Sequence, residues 1–215
     1  MGASVYDYRG QPSRFLEVNS RGLAIARRYQ LGFFTALAEI HEAFTLARVH
    51  CDASQIPVAE ELLAELGADG TLVGAPHFIL KIGQAQLACG QATAAAASAE
   101  LAAAVSVGTN QRFRDAAIKA LSLKAAHQLG ALDDDWRREA SETLAFSVER
   151  GLASSRIELA STIAELSEGT PELAGALRDL RDAIEAIAEP GGVPLVEESE
   201  LLYTTLAQTM TSEMP

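Results

Sequence analysis

The sequence predicts an all-α protein, a right-handed superhelical array of antiparallel helix pairs with about ten helices. Three observations lead to this prediction. Hydrophobic residues make up 48 % of the 215 residues but aromatic residues only 6 %, because most of the apolar content is alanine and leucine, which are strong helix formers. No long segment alternates apolar and polar residues as a sheet strand would. Finally, one phrase recurs four times along the chain.

In each copy of this phrase an alanine-rich helix ends, a short break follows, and an apolar residue begins a new helix of small residues. The copies align Phe34, Phe78, Phe113 and Ile157, with separations of 44, 35 and 44 residues. These separations are close to those of stacked helix pairs. Residues 1–215 are therefore interpreted as one helical-repeat domain, in which residues 196–210 form a C-terminal capping helix.

Glycine, proline and polar clusters divide the N-terminal half into five predicted helices. Ser54 is a suitable N-cap, and Pro76 suits the first turn of a helix. Apolar stripes are expected at Phe33, Leu37, Ile40, Phe44 and Ala47, and at Val58, Leu62 and Leu66. The predicted helices are Pro12–Tyr29, Gly32–His50, Ser54–Gly67, Pro76–Gly90 and 92–107.

The C-terminal half gives five more helices. Gly169, Thr170 and Pro171 supply a stop, an N-cap and a first-turn proline in succession, which marks the sharpest boundary of the chain. The clearest stripe is Leu173, Leu177, Leu180, Ile184 and Ile187, and a second is Trp136, Ala140, Leu144 and Val148. The predicted helices are 111–130, 136–149, Ser154–Glu168, 173–187 and Glu197–Met210.

The net charge of −12 is concentrated at the C-terminal end. Residues 131–215 carry six Lys and Arg against eighteen Asp and Glu, whereas residues 1–50 carry six against four. An acidic chain of this kind repels phosphate backbones, so direct nucleic-acid binding is not expected. The chain shows neither an apolar signal core nor a membrane-spanning stretch, and its two cysteines, Cys51 and Cys89, are expected to be free thiols. These features predict a cytoplasmic location without a membrane partner.

The phrases LAIARRYQLGFFTALAEIHEAFTLAR, APHFILKIGQAQLACGQ and SVERGLASSRIELASTIAEL resemble degenerate tetratricopeptide repeats. They are similar to the C-terminal helical-repeat region of large bacterial signal-transduction ATPases, including LuxR-type regulators and class III adenylate cyclases. The resemblance covers roughly residues 20–206. The nucleotide-binding, cyclase and DNA-binding modules of that family have no counterpart in this sequence. The resemblance implies a sensor or scaffold region in bacterial signalling or transcription regulation.

Motifs for catalysis or cofactor binding are not found. His41 and Glu42 do not complete HExxH, because Thr45 stands where the second histidine is needed, and no serine lies in GxSxG. A non-enzymatic protein without a cofactor or metal is therefore expected. The candidate partner-binding residues are the polar side chains expected to face the concave surface of the array. They are Glu39, His41, His77, Lys81, Gln84, Arg112, Lys119 and His127.

The predicted function is that of a non-catalytic protein-interaction or ligand-sensing scaffold, which holds a protein, a peptide or a small effector in its concave groove. A homodimer through the end helices is compatible with this interpretation. The alternative is a compact helical enzyme or small-molecule-binding protein with a polar cleft around Glu39, His41 and His77. An open groove would favour the scaffold, and an enclosed cavity lined by those three side chains would favour the alternative.

Overall fold

The computed structural model describes residues 5–6, 9–68, 74–187 and 193–212. These residues form ten α-helices and one short 3-10 turn, with no β-strand among them, which confirms the all-α prediction. Residues 69–73 and 188–192, which separate helices predicted above, lie outside the described residues. Contacts group the chain into two compact units, Met1–Gln111 and Arg112–Pro215. Each unit is described by itself below.

Residues 12–68 and 74–109 of the first unit form five helices in which neighbours along the chain pack together, and α2 also packs on α4. Pro76 lies in the first turn of α4, as predicted, while Gly67 lies inside α3 and does not end it. The helices are α1 (Pro12–Arg28), α2 (Gly32–His50), α3 (Gln55–Ala68), α4 (Ala75–Ala88) and α5 (Ala92–Thr109).

The core of the first unit is centred on α2, whose Ile40, Phe44 and Ala47 are buried against Ile56 of α3 and Ile82 of α4. The buried face of α5 consists only of small residues, namely Ala95, Ala99, Ala102 and Ser106. Because these side chains lack bulk, α4 and α5 form the most extensive helix–helix contact in the described part of the chain. This agrees with the expectation that the alanine-rich helix allows close packing.

Of the ten helices bounded within the described residues, five end with the same turn, in which one residue adopts a positive φ and the next donates its backbone N–H to a carbonyl five residues earlier. The N···O distances are 2.8–3.0 Å, which is the Schellman arrangement. The positive-φ residues are Gln30, Gly90, Asn110, Gly130 and Gly151. Glycine adopts this backbone at no steric cost, and asparagine tolerates it. These turns therefore end the helices at the breaks that are visible in the sequence.

The second unit begins with the 3-10 turn Arg112–Arg114 and continues through five helices. Neighbouring helices pack together, and α6 and α10 also pack on α8. The capping helix predicted at 196–210 lies within α10, which contacts both α8 and α9. The helices are α6 (Asp115–Gln128), α7 (Trp136–Glu149), α8 (Ala153–Leu166), α9 (Leu173–Glu185) and α10 (Pro194–Ser212).

The core of the second unit is aliphatic apart from Trp136. Leu173, Leu177 and Leu180 of α9 are buried as predicted, and Ile184 packs against the same core. The stripe predicted on α7 is correct at Trp136, Ala140 and Leu144 but wrong at Val148, which is 51 % exposed. Ser147 is buried instead, and its hydroxyl donates to the carbonyl of Thr143. Successive members of an i, i+4 series advance about 40° around a helix, so the fourth member has turned about 120° from the first and leaves the buried face.

Candidate functional site

His41 and His77 lie together, but inside the first unit rather than on a groove surface. The ring centroid of His41 is 6.0 Å from that of His77 and 5.0–5.6 Å from those of Phe15, Phe44 and Phe78. Both histidine side chains are buried. At such centroid separations the rings stabilise one another in edge-to-face and tilted pairs. These histidines belong to an aromatic cluster of the core, and their role in partner binding stays a prediction.

Lys81 and Gln84 follow His77 on α4 and do not form an open ligand-binding surface either. Every residue from Ala75 to Gly83 is buried, Lys81 included, and Gln84 is half-buried. The reason is that α4 packs against α2, α3 and α5, so other helices cover most of its circumference. Sequence periodicity predicts an exposed face only for a helix that packs on one side. Helix α4 packs on three other helices, so its polar residues are covered as well.

The three candidate partner-binding residues of the second unit do not form one surface: Arg112 and Lys119 make local contacts, and His127 lies away from them. The Arg112 guanidinium donates to Asp115 at 2.7 Å and lies 4.3 Å above the Phe146 ring. The Lys119 ammonium donates to Glu139 Oε2 at 2.6 Å, and this bond, with the attraction of the two charges, lowers the pKa of Glu139. His127 is exposed near the end of α6, about 12 Å further along the helix axis than Lys119.

Glu39 lines an open cleft of about 430 Å³ in the first unit, formed mainly by facing surfaces of α2 and α3. Residues two positions apart on a helix point about 200° apart, which explains why Glu39 faces this cleft while His41 faces the core. The described residues that line the cleft include neither His41 nor His77. They are Arg27, Glu39, Glu42, Ala43, Leu46, Gln55, Val58, Glu61, Leu62 and Glu65.

Each of the two helices contributes the same pattern to the cleft. From α2 come Glu39, Glu42, Ala43 and Leu46, and from α3 come Val58, Glu61, Leu62 and Glu65, so both sets follow i, i+3, i+4, i+7. This spacing places each set on one helix face. Each face spans about 10 Å along its axis, or about two helical turns. The cleft therefore runs along two parallel or antiparallel stripes of mixed carboxylate and aliphatic side chains.

The cleft is acidic, with four glutamates against one arginine. The Arg27 guanidinium donates to Glu39 Oε1 at 2.7 Å. Among the described residues, ion pairs do not engage Glu42, Glu61 or Glu65. Val58 is largely exposed and gives the cleft apolar surface together with the half-buried Leu62 and Leu46. This combination suits a ligand that carries both positive charge and apolar side chains.

Sequence reasoning identified Glu39 in the cleft but missed its α3 side. The sequence pattern places Val58 and Leu62 in a buried stripe and does not single out Glu61 or Glu65. The signal that would have revealed the α3 side is a mixed stripe. The glutamates Glu61 and Glu65 are four residues apart, and so are the apolar residues Val58 and Leu62 beside them. When such a mixed stripe occurs on two consecutive helices, their facing surfaces can form an amphipathic groove.

The cleft offers carboxylate, guanidinium, amide and aliphatic groups. The described residues that line it offer no serine, threonine, cysteine or histidine as a nucleophile. Throughout the described part of the chain, groups of three or more His, Cys, Asp or Glu side chains placed to hold a metal ion are not found. Within the same residues, every helix falls short of the length and apolarity needed to cross a bilayer. The chain matches no protein-family model, no curated protein and no solved structure.

Proposed function

We propose that this protein is a non-catalytic binding module, whose acidic cleft holds a basic, amphipathic helical segment of a protein partner. The setting in bacterial signalling or transcription regulation, implied by the resemblance to tetratricopeptide-type repeats, is part of the proposal. Support for a repeat array comes from contacts of α2 with α4, α6 with α8, and α8 with α10. Contacts between every second helix are expected when helix pairs stack.

The observation that carries this proposal is the repeated i, i+3, i+4, i+7 stripe on both walls of the cleft. A helix laid in a groove presents anchors with the same spacing, so an incoming amphipathic helix can match both walls at once. Its apolar side chains would cover Val58, Leu62 and Leu46, and its lysines or arginines would lie near Glu42, Glu61 and Glu65.

The two kinds of contact contribute differently. Exposed ion pairs are worth only about 0.2–1 kcal/mol each, so the apolar surface supplies most of the affinity and the glutamates supply selectivity for a basic ligand. The unbound cleft also carries an internal cost, because Glu61 and Glu65 are like charges one turn apart on α3. A cationic ligand relieves this repulsion.

The enzyme or small-molecule alternative is not favoured by the geometry. It needs a cleft lined jointly by Glu39, His41 and His77, whereas Glu39 lies in the open cleft and both histidines pack among phenylalanine rings. A carboxylate that an aromatic core separates from the histidines cannot share a proton with them.

Fluorescence anisotropy with a labelled synthetic helix tests the proposal. The probe repeats leucine at i, i+3, i+4 and i+7 with lysines beside them, and a second probe replaces every lysine by glutamate. We expect only the basic probe to bind, with affinity that falls as salt is added. Glu65→Lys should weaken binding about five- to tenfold, the equivalent of about one lost and one repulsive surface pair.

A matched control is Glu100→Lys, which makes the same charge change at an exposed position of α5 outside the cleft. Its effect should be small because the position is not next to the bound probe. Equal binding of the basic and acidic probes, or equal losses in Glu65→Lys and Glu100→Lys, would show that the cleft is not the binding site.

A further inference from the structure

The turn between α1 and α2 carries the densest group of exposed apolar side chains in the described part of the chain. Ile25, Tyr29, Leu31, Phe33 and Phe34 lie within ten residues and are each 44–64 % exposed. We refer to these five residues as the apolar corner. Large apolar side chains scattered singly over a surface are ordinary, but a contiguous group marks an interaction surface. After the acidic cleft, the apolar corner is therefore the second candidate interaction surface of the first unit.

The corner is basic as well as apolar. Residues 25–34, which contain the corner, carry Arg27 and Arg28 and no acidic residue, a net charge of +2 in a chain whose total is −12. The Arg28 guanidinium lies 5.6 Å from the centroid of the Tyr29 ring, within the apolar group. The partner of this surface must accordingly be both acidic and apolar.

The acidic cleft has these two properties, and it adjoins the corner. Arg27 connects them, since it belongs to the exposed turn and its guanidinium reaches Glu39 in the cleft at 2.7 Å. A corner cannot enter the cleft of its own chain, because α1 and α2 hold it on either side and only Tyr29–Leu31 separate the two helices. A second copy of the chain does not have this restriction.

We propose that the apolar corner of one copy occupies the acidic cleft of a second copy, in a two-fold symmetric dimer. This inference rests on the proposed function, because it names the occupant of the same cleft. Since the corner and the cleft adjoin, each copy can offer its corner and receive the other at the same time. Such an isologous arrangement closes at two copies and does not continue into a fibre.

The available surface is sufficient for a weak dimer. Aromatic side chains bury about 150–250 Å² each when fully covered, so the half-exposed Tyr29, Phe33 and Phe34 add roughly 100 Å² each. Together with Ile25, Leu31 and the arginines, one corner offers roughly 400–500 Å². This area lies below the about 800 Å² per partner of a standard interface, so the dimer is expected to be weak and to dissociate on dilution.

Sedimentation velocity on the full chain tests the inference through charge complementation. The wild-type chain should form a dimer that dissociates on dilution and with added salt. Arg28→Glu in the corner and Glu61→Arg in the cleft should each give monomers, because each places like charges in both contacts. Both positions are exposed, so circular dichroism should remain unchanged.

Mixing the two variants should restore the dimer. In the mixed dimer one contact pairs the two reversed charges and the other pairs two wild-type surfaces, so both contacts are again complementary. We expect the mixture to associate at least tenfold more tightly than either variant alone. Phe34→Ser should also weaken the wild-type dimer, whereas Glu100→Lys should leave it unchanged.

The remaining outcomes separate the inference from the proposed function. A chain that stays monomeric but binds the basic probe would overturn the dimer and leave the cleft as a site for another protein. A monomer that binds neither would overturn both. A dimer that survives Arg28→Glu and Glu61→Arg would place its interface elsewhere. Monomers whose Phe34→Ser variant loses binding to phosphatidylserine vesicles would identify a lipid surface as the occupant of the corner, and would likewise overturn the dimer.

Discussion

In the first unit the buried polar groups include two histidine rings packed among phenylalanines, whereas in the second unit they include a charged pair. Arg114 is only 2 % exposed, and its guanidinium donates to Glu158 Oε1 at 2.9 Å. Ser155 on the same helix, α8, lies 3.4 Å from Arg114 and donates to the carbonyl of Phe113. The pair thus fixes the 3-10 turn to α8, while the rings connect α1, α2 and α4. A buried ion pair requires both charged partners, whereas the tilted and edge-to-face rings attract one another without any charged group.

The surfaces of the two units differ in a related way. In the first unit five of the exposed large apolar side chains lie at the apolar corner, while in the second they are Phe113, Leu129, Val148 and Leu201, far apart along the chain. The strongest acidity of the chain also lies in residues 131–215. Under the proposed function, both binding surfaces belong to the first unit. The second unit carries most of the negative charge of the chain and no comparable group of exposed apolar side chains among its described residues.

Removing most of α10 should cause the largest loss of stability, and this loss should be confined to the second unit. Val196 and Leu206 are buried in its core, and the hydroxyls of Ser199 and Ser161 lie 3.1 Å apart. Deleting residues 196–215 should cost about 3–6 kcal/mol, since each of the two apolar side chains contributes about 1.5–3 when buried. The uncovered face of α9 should then cause aggregation, measured by size-exclusion chromatography with circular dichroism.

The truncation is best made in the Glu61→Arg background, so that dimers formed through the cleft do not obscure aggregation. Helical signal from the first unit should persist, since that unit has its own core. A truncated chain that stays monodisperse with unchanged thermal stability would show that this segment does not cap the second unit.

Core substitutions should destabilise each unit separately. Phe44→Ala should cost about 3–5 kcal/mol and Leu180→Ala about 2–5 kcal/mol, because both side chains are buried and their removal leaves a cavity. The sole tryptophan, Trp136, reports on the second unit. Cys89 reports on the first unit: its half-buried thiol donates to the Ala47 carbonyl and burial raises its pKa, so unfolding should accelerate its reaction with a thiol reagent.

These measurements are made in urea, with Cys51→Ser to remove the exposed second thiol. Leu180→Ala should shift the Trp136 fluorescence transition, and Phe44→Ala should shift the Cys89 labelling transition. A shift below about half a kilocalorie per mole in either would contradict the burial of that side chain.

The number and bounds of the helices could be predicted because local chemistry sets them. Gly90 and Gly130 end helices through positive-φ turns, and Pro76 begins one, so these boundaries are visible in the sequence. The turns at Gln30 and Asn110 have the same geometry without glycine, and only their context reveals them. Local signals of this kind act within a few residues and need no knowledge of the packing.

Which side chains are buried could be predicted only in part. The four aligned positions of the recurring phrase do not share one environment: Phe78 and Ile157 are buried, while Phe34 and Phe113 are exposed. The phrase therefore marks where a helix begins, and not a common place in the core. Val58 shows the same limit, because its apolar character fits a core stripe as well as it fits the floor of a cleft.

The candidate site was harder still to predict. Polar character drew attention to His41 and His77, yet a neutral imidazole can pack in an aromatic core, as both do here. Only the contacts of α4 with three other helices decide that its polar residues are covered. Periodicity describes one helix at a time, whereas a cleft is a property of two.

The smallest expected effect is the loss of the ion pair between Lys119 of α6 and Glu139 of α7, which tests how much an exposed charge pair stabilises the second unit. Both side chains are partly exposed, so Lys119→Met should cost only about 0.2–1 kcal/mol near neutral pH. The hydrogen bond from Lys119 holds the pKa of Glu139 below its usual value. The stabilisation is therefore complete above the usual glutamate pKa of about 4.3, and it is lost as the pH falls through the lowered value.

Urea denaturation followed by Trp136 fluorescence, at neutral pH and near pH 3, measures this difference between wild type and Lys119→Met. The cost should vanish at the acidic pH, because a protonated Glu139 no longer attracts the ammonium group. It should also vanish at neutral pH in the Glu139→Gln background, which completes a double-mutant cycle. A cost that persists at acidic pH or in that background would come from packing of the Lys119 alkyl chain against α7, and the pair would then contribute nothing to the stability of the second unit.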